Sequence, residues 1–231
     1  MEGSRKRTQM PMVTGSSVIG MRCVDGVVMA ADTLLSYGSL ARFKDVSRFC
    51  KLSKDTVIGV GGEYSDFQSL SQILAAQMTH EFCHDDGSTL GPRSIYHMTA
   101  KFMFRHRLEV DPYWNYIVLG GMDQGKPFLG MVDLYGTNFE SEVIATGFGI
   151  YMGLPLLRKA YREDITVLEA TKVLTDVMRV LFYRDARSSE RIQITTVTAE
   201  GVTISPPTKL DTHWEFKRFV QGSRANDDST W

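Results

Sequence analysis

The stretch "VTGSSVIGMRCVDGVVMAAD", Val13 to Asp32, decides how this chain folds. Two short β-type runs flank the turn signal Asp25-Gly26, and a Gly-Ser-Ser step precedes the first of them. The pattern predicts two strands folded about that turn, with Ser16 at their entrance. A small hydroxyl residue there is a candidate nucleophile, provided something beside it accepts its proton.

Outward from this hairpin, "SSVIGMRC", "VVMAAD", "SLARF" and "TVIGVGG" alternate with turn signals from Met12 to Gly62 and predict a meander of antiparallel strands. Ser65 to His84 places Phe67, Leu70, Ile73, Leu74 and Met78 near helical spacing, with Ser65 or Asp66 as N-cap and a stop at Asp85-Asp86-Gly87. A second helix starts near Pro92, a residue suited to the first turn, and carries Ile95, Met98, Phe102 and Leu108. Strand patterns return in "YWNYIVLGG", "FLGMVDLYG" and "SEVIATG". Helical runs cover Ile150 to Arg162 and Val167 to Tyr183, the latter with Leu168, Val173, Leu174, Val177, Val180 and Leu181, before strands "RIQITTVTA" and "VTI". Each sheet and each helix pair has one apolar face to bury. The expected fold class is therefore α+β, a four-layer αββα sandwich of two antiparallel sheets between helix pairs.

The 231 residues fit one domain able to bury a core without staples or metals. A net charge of −1 with both signs interspersed leaves no nucleic-acid footprint, and Arg5-Lys6-Arg7 reads as a solvated arm. Three cysteines, Cys23, Cys50 and Cys83, show no C-x-x-C spacing and predict reduced thiols. No apolar run approaches the roughly 18 residues of a membrane span, and no signal-like segment opens the chain, so a soluble intracellular protein without membrane contact is expected.

"HEFCH", His80 to His84, matches the H-E-x-x-H pattern of zinc peptidases. The helix ends at once in Asp-Asp-Gly, and no downstream motif offers a third ligand. Histidines near a helix C-terminus suit its dipole, so a solvated helix end is the expectation and no metal or cofactor is assigned. His97, His106 and His213 sit in no nucleophile-elbow motif.

"GVVMAAD" in the hairpin, "GVGGEYSDF" from Gly59 and "YRDARS" from Tyr183 together resemble the beta subunits of the proteasome core particle, a family of N-terminal-nucleophile hydrolases. The resemblance runs from about Thr8 to Ile204. "TQMPMVTGSSV", "SYGSLARF", "DPYWN" and "LFYRDARS" narrow it to a non-catalytic member at the beta-seven position. It implies a 20S core subunit in a seven-membered beta ring, touching the alpha ring and the opposite beta ring, in the cytoplasm and nucleus. Its role would be assembly within ATP- and ubiquitin-dependent protein degradation.

The family's chemistry uses a hydroxyl on the first residue of the mature chain, with that residue's free amine as base. The resemblance places this position at Ser16, behind Gly15, where the chain is still an amide. It aligns the family's lysine with Arg48, whose guanidinium stays charged to above about pH 12 and spreads its charge over a rigid fork. A serine of active members aligns with Phe148 in "TGFG". Asp32, Asp185 and Ser188 match retained positions, and Gly62 the oxyanion-hole backbone. The resemblance thus implies a degenerate site whose Asp32, Asp185 and Arg48 form a structural ion-pair network. The alternative is an active endopeptidase subunit whose Ser16 is uncovered by cleavage after Gly15.

The expected division is an N-terminal arm over 1–15, the hydrolase-type domain over 16–210 and an interaction tail over 211–231. In the tail, Trp214, Phe216, Phe219 and Trp231 are large apolar groups beyond what the sandwich needs, and such anchors favour association. Either Trp214 and Phe216 pack on their own domain, or they join the clamp on a neighbouring subunit expected of Gly222 to Trp231.

Overall fold

The computed structural model describes residues 10–87 and 89–215. The first strands are β1 (Val13–Gly15), β2 (Val18–Arg22), β3 (Gly26–Asp32), β4 (Leu35–Tyr37), β5 (Leu40–Phe43), β6 (Phe49–Lys51) and β7 (Thr56–Glu63). Helices α1 (Tyr64–Cys83) and α2 (Pro92–Leu108) follow, then β8 (Asn115–Asp123), β9 (Lys126–Val132), β10 (Asn138–Glu140) and β11 (Val143–Ala145). The chain continues through α3 (Gly149–Met152), α4 (Leu154–Ala160) and α5 (Val167–Arg184) to β12 (Arg191–Thr198), β13 (Gly201–Ile204) and β14 (Thr208–Lys209).

These strands form two antiparallel sheets. One runs β10-β9-β8-β7-β1-β4-β5 with β6 also on β7, and the other runs β11-β2-β3-β12-β13 with β14 also on β12. Three apolar cores separate the layers. Phe67, Leu70 and Leu74 of α1 and Ile95, Tyr96 and Met103 of α2 pack on Ile58, Val60, Ile117 and Leu119 of the first sheet. Leu174, Val177, Met178 and Leu181 of α5 pack on Ile19, Met21, Val28 and Ala30 of the second. Val18, Val27, Met29, Val57, Val118, Leu129 and Val197 fill the space between the sheets. The fold is the expected four-layer αββα sandwich, and β3, buried along its whole length, has one apolar face in each of two cores.

The local expectations differ in four places. The first seven strands are not one meander, because β2 and β3 leave the first sheet for the second. Helix α1 begins at Tyr64 behind Glu63, with no side-chain cap. Ser65 instead donates to Glu63 just before the helix, and the Asp66 carboxylate accepts from the distant Trp114 N–H. The helix expected over Ile150 to Arg162 is broken at Gly153, since Pro155 has no N–H to continue the ladder. Finally, Leu108 and Leu168 lie on exposed faces while Tyr96, Met103, Ala170 and Met178 are buried, a rotation of both apolar stripes. Helix α5 is capped by Thr166, whose hydroxyl accepts from the Glu169 N–H in a capping box.

Among the described residues no helix is long and apolar enough to cross a membrane. The three cysteines are free, with Cys23 buried and Cys83 exposed. Burial first, then the nearby Asp25 and Glu169 charges, push the Cys23 thiol from its ordinary 9.0 up to about 12. At pH 8 such a thiol is roughly one part in ten thousand thiolate, so Cys83 should react with a thiol probe at once and Cys23 only on unfolding. The unfolded chain ionises at Cys23 first, so stability should fall as pH rises from about 9 towards 12. Denaturant titrations across that range should show a shallower pH slope for Cys23→Ala.

Candidate functional site

Strands β1 and β2 are consecutive in sequence yet belong to different sheets, so the chain crosses between layers at Ser16-Ser17. Before the crossing, Gly15 lies opposite Leu35 of β4 on one side and Gly62 of β7 on the other. After it, Val18 lies opposite Ala31 of β3. A chain that leaves one ladder for another strands carbonyls in the interior, and each buried carbonyl needs a donor.

Arg48 supplies these donors. Its side chain is fully buried. Nη1 donates to the Ser16 carbonyl at 2.7 Å, Nη2 to the Ser17 carbonyl at 2.8 Å and Nε to the Asp32 carbonyl at 2.8 Å. Nη2 also donates to the Asp32 carboxylate Oδ1, forming a buried ion pair. With one bond from Nε, one from Nη1 and two from Nη2, most of the guanidinium's donors are used on backbone or carboxylate. The other Asp32 oxygen accepts from the Ser189 N–H at 3.0 Å. Burial pushes the Asp32 carboxyl above its ordinary value and the Arg48 guanidinium below its own, while each partner's charge opposes the other's shift.

Gly15 is shaped by the same arginine. A Cβ at Gly15 would stand 2.5 Å from Arg48 Cδ, so the methylene stem fills the space a side chain would take. Gly62 has φ +93°, and a Cβ there would meet the Trp114 carbonyl at 2.0 Å. Asn115, fully buried, donates through Nδ2 to the carbonyls of Gly61 and Glu63 at 3.3 and 2.8 Å and so pins this passage from the neighbouring strand.

Ser16 is half-buried, and its hydroxyl donates to Asp185 Oδ2. Asp185 sits at the C-terminal cap of α5, where its second oxygen accepts from the Arg187 N–H at 2.9 Å. The Ser188 N–H reaches only the Asp185 backbone carbonyl, at 3.1 Å. Thus Ser16, Arg48, Asp32 and Asp185 converge as one network, while Gly62 pairs with the strand that precedes Ser16. Phe148 is 51% exposed at the start of α3, and its neighbour Gly149, not Phe148 itself, is tied to the crossing by an N–H bond to Ser17 Oγ at 2.8 Å. Of the tail residues, Trp214 lies edge-on to Phe182 and Tyr183 of α5 at 5.6 and 4.9 Å and remains 59% exposed. Phe216, Phe219 and Trp231 lie outside the described residues.

Several members of this network carry no motif. The Ser17 carbonyl and hydroxyl, the Ser189 N–H, Asn115 and Thr146 were legible only as ordinary polar residues. Thr146, 1% exposed, accepts from the Val18 N–H at 2.9 Å and fastens β2 just past the crossing. Upstream, the Glu63 carboxylate accepts from the N–H groups of Met12 and Val13. Val13–Gly15 are therefore part of the first sheet, with Thr14 and Gly15 paired on both edges, ahead of the boundary expected at Ser16. Chemically, the Ser16 nitrogen in this arrangement is a peptide amide with no basic lone pair, and the cation nearest it cannot accept a proton.

Two helix-faced antiparallel sheets joined by a hydroxyl-bearing crossing, with two aspartates and one cation around it, define a class. The family model described as proteasome subunit matches residues 12–197, and the chain belongs to the proteasome subunit family. It is 46% identical over 215 residues to proteasome subunit beta type-4 of Dictyostelium discoideum, which covers 92% of this chain and 83% of that one. It is 41% identical over 222 residues to proteasome subunit beta type-4 of Xenopus laevis, at 95% and 92% coverage. A Saccharomyces cerevisiae protein named proteasome subunit beta type-7 is 37% identical over 227 residues, at 93% and 85% coverage.

Removing one partner of a buried ion pair leaves the other charge unpaired. Arg48→Ala should therefore destabilise the folded chain by about 3–5 kcal/mol. Gly15→Ala should cost about 1–3 kcal/mol by crowding the Arg48 stem. Urea unfolding of the two variants beside the unaltered chain measures both, and wild-type midpoints would refute this account of the crossing.

Proposed function

We propose that this chain is a non-catalytic, structural beta subunit of the 20S proteasome core particle. The single observation that carries the reading is Arg48, a guanidinium that cannot accept a proton and is spent on the Ser16, Ser17 and Asp32 carbonyls and the Asp32 carboxylate, where the resemblance places an active member's lysine. The subunit occupies one place in a seven-membered beta ring and contacts the alpha ring and the opposite beta ring. Peptide hydrolysis is left to neighbouring subunits, in the cytoplasm and nucleus, as part of ATP- and ubiquitin-dependent degradation. The similarity to beta type-4 and beta type-7 subunits over most of their lengths supports the assembly role.

A second reading keeps the chain as an endopeptidase released by cleavage after Gly15. It is favoured by the Ser16 hydroxyl, already oriented by Asp185, and by the glycine that precedes it. Cleavage would free an amine but would leave Arg48 in the lysine's place. It would also cut the chain between a strand held on both edges and the arginine's first carbonyl ligand.

N-terminal sequencing of the chain from purified particles separates the two readings. A start upstream of Ser16, with every peptidase activity of the particle unchanged in Ser16→Ala, is the expected result. A chain that begins at Ser16 and a selective loss of one cleavage specificity in the variant would overturn the structural reading. For the tail we assign a clamp on a neighbouring beta subunit. Truncation after Val220 should slow the joining of half-particles in a native-gel time course, whereas unchanged joining would remove that assignment.

A further inference from the structure

The H-E-x-x-H pattern lacks the setting of a peptidase centre. Among the described residues no three histidine, cysteine or carboxylate side chains converge as a metal site. Glu81 Oε1 accepts from Gln77 Nε2 at 2.9 Å, an intrahelical contact that turns it away from any water-activating role. The two histidines are a separate matter. His80 and His84 stand four apart on the last turn of α1, and His84 keeps helical backbone angles as the C-cap, so both rings share one face. Their ring centroids lie 4.5 Å apart, and both residues are exposed, so the rings can turn towards a common point without breaking a core.

The His84 ring is also set in one tautomer. Its Nδ1 lies 2.9 Å from the His80 carbonyl oxygen, which can only accept, so Nδ1 carries the proton and Nε2 the lone pair. A backbone carbonyl behind one ring nitrogen, with the other nitrogen open, is the arrangement that metal-binding imidazoles adopt. The carboxylate of Glu81 lies 4.0 Å from His80 Nδ1 and places negative charge behind the second ring.

We propose that His80 and His84 form a two-imidazole surface site for a borderline divalent transition-metal ion, with water completing its coordination. Imidazole donors select Cu2+, Ni2+ and Zn2+ over Mg2+ and Ca2+, which prefer oxygen. A metal held there bridges consecutive turns and fastens the end of α1 against the Asp85-Asp86-Gly87 stop. The site has only two protein ligands and no positioned base, so it binds without hydrolysing.

The test uses the full-length, tag-free chain carrying Cys83→Ser, which removes the neighbouring exposed thiol as a competing ligand. Titration calorimetry with NiCl2 at pH 7.5 should show one ion per chain, with affinity falling at least tenfold in His80→Ala and in His84→Asn. Ni2+ but not Mg2+ should raise Tm in the chain with both histidines and not in the variants. Because a variant could lose the helix end, the same Cys83→Ser chain is also titrated with Cu2+ and followed by NMR. The ring resonances of His80 and His84 should broaden before those of His97, His106 and His213. An unchanged Ni2+ affinity in the histidine variants, no Ni2+ site in the Cys83→Ser chain, or broadening that begins elsewhere would overturn the proposal.

Discussion

The Arg48 guanidinium stands where one sheet gives its chain to the other, and the sandwich is organised around that constraint. Two stacked sheets are joined by covalent crossings, and at each crossing the backbone must give up ladder bonds in a dry interior. Three carbonyls, of Ser16, Ser17 and Asp32, meet the same planar fork, which the Asp32 carboxylate neutralises. A lysine ammonium is a compact point charge and could not span three carbonyls and a carboxylate in one plane. Arginine at this position therefore exchanges a tunable cation for a rigid multidentate tie.

That exchange explains the character of the site. Both charges resist burial, as their shifts towards neutrality show, and a pair of this kind seldom adds much net stability over an apolar replacement. What it gives is a fixed geometry: β1 held in the first sheet, β2 in the second, and Gly15 seated against the arginine stem. The remaining polar groups reinforce the same point, with Thr146 and the Gly149 N–H securing residues 17 and 18 and Glu63 securing residues 12 and 13. The polar groups around Ser16 and Ser17 form a joint between layers.

The helices show a complementary division. Their inner faces close the two outer cores, and their ends carry the exposed features, among them Phe82 and the paired histidines on α1 and Phe148 and Tyr151 beside α3. The sandwich layers are thus packed within, and the helix ends and strand edges meet the surroundings. The all-exposed edge strand β5 fits the same pattern.

The layer order was legible in the sequence because period-two and helical apolar patterns alternate over long segments, and Ser16, Asp32, Arg48 and Asp185 were singled out by the resemblance as residues that the fold then brings together. Pro92 at the first turn of α2 and the apolar run of β3 follow from local chemistry alone. The sequence could not say that Val13–Gly15 forms a strand in the other sheet, since the Gly-Ser-Ser step reads only as the entrance to the hairpin and sheet membership depends on partners as far away as Asn115 and Thr146. Nor could it show Ser189 closing the Asp32 carboxylate, or Asp66 diverted from capping α1 to hold the distant Trp114 N–H. Those choices are made by burial: once two sheets stack, each stranded polar group takes whichever donor or acceptor the fold brings within reach, whatever its distance along the chain.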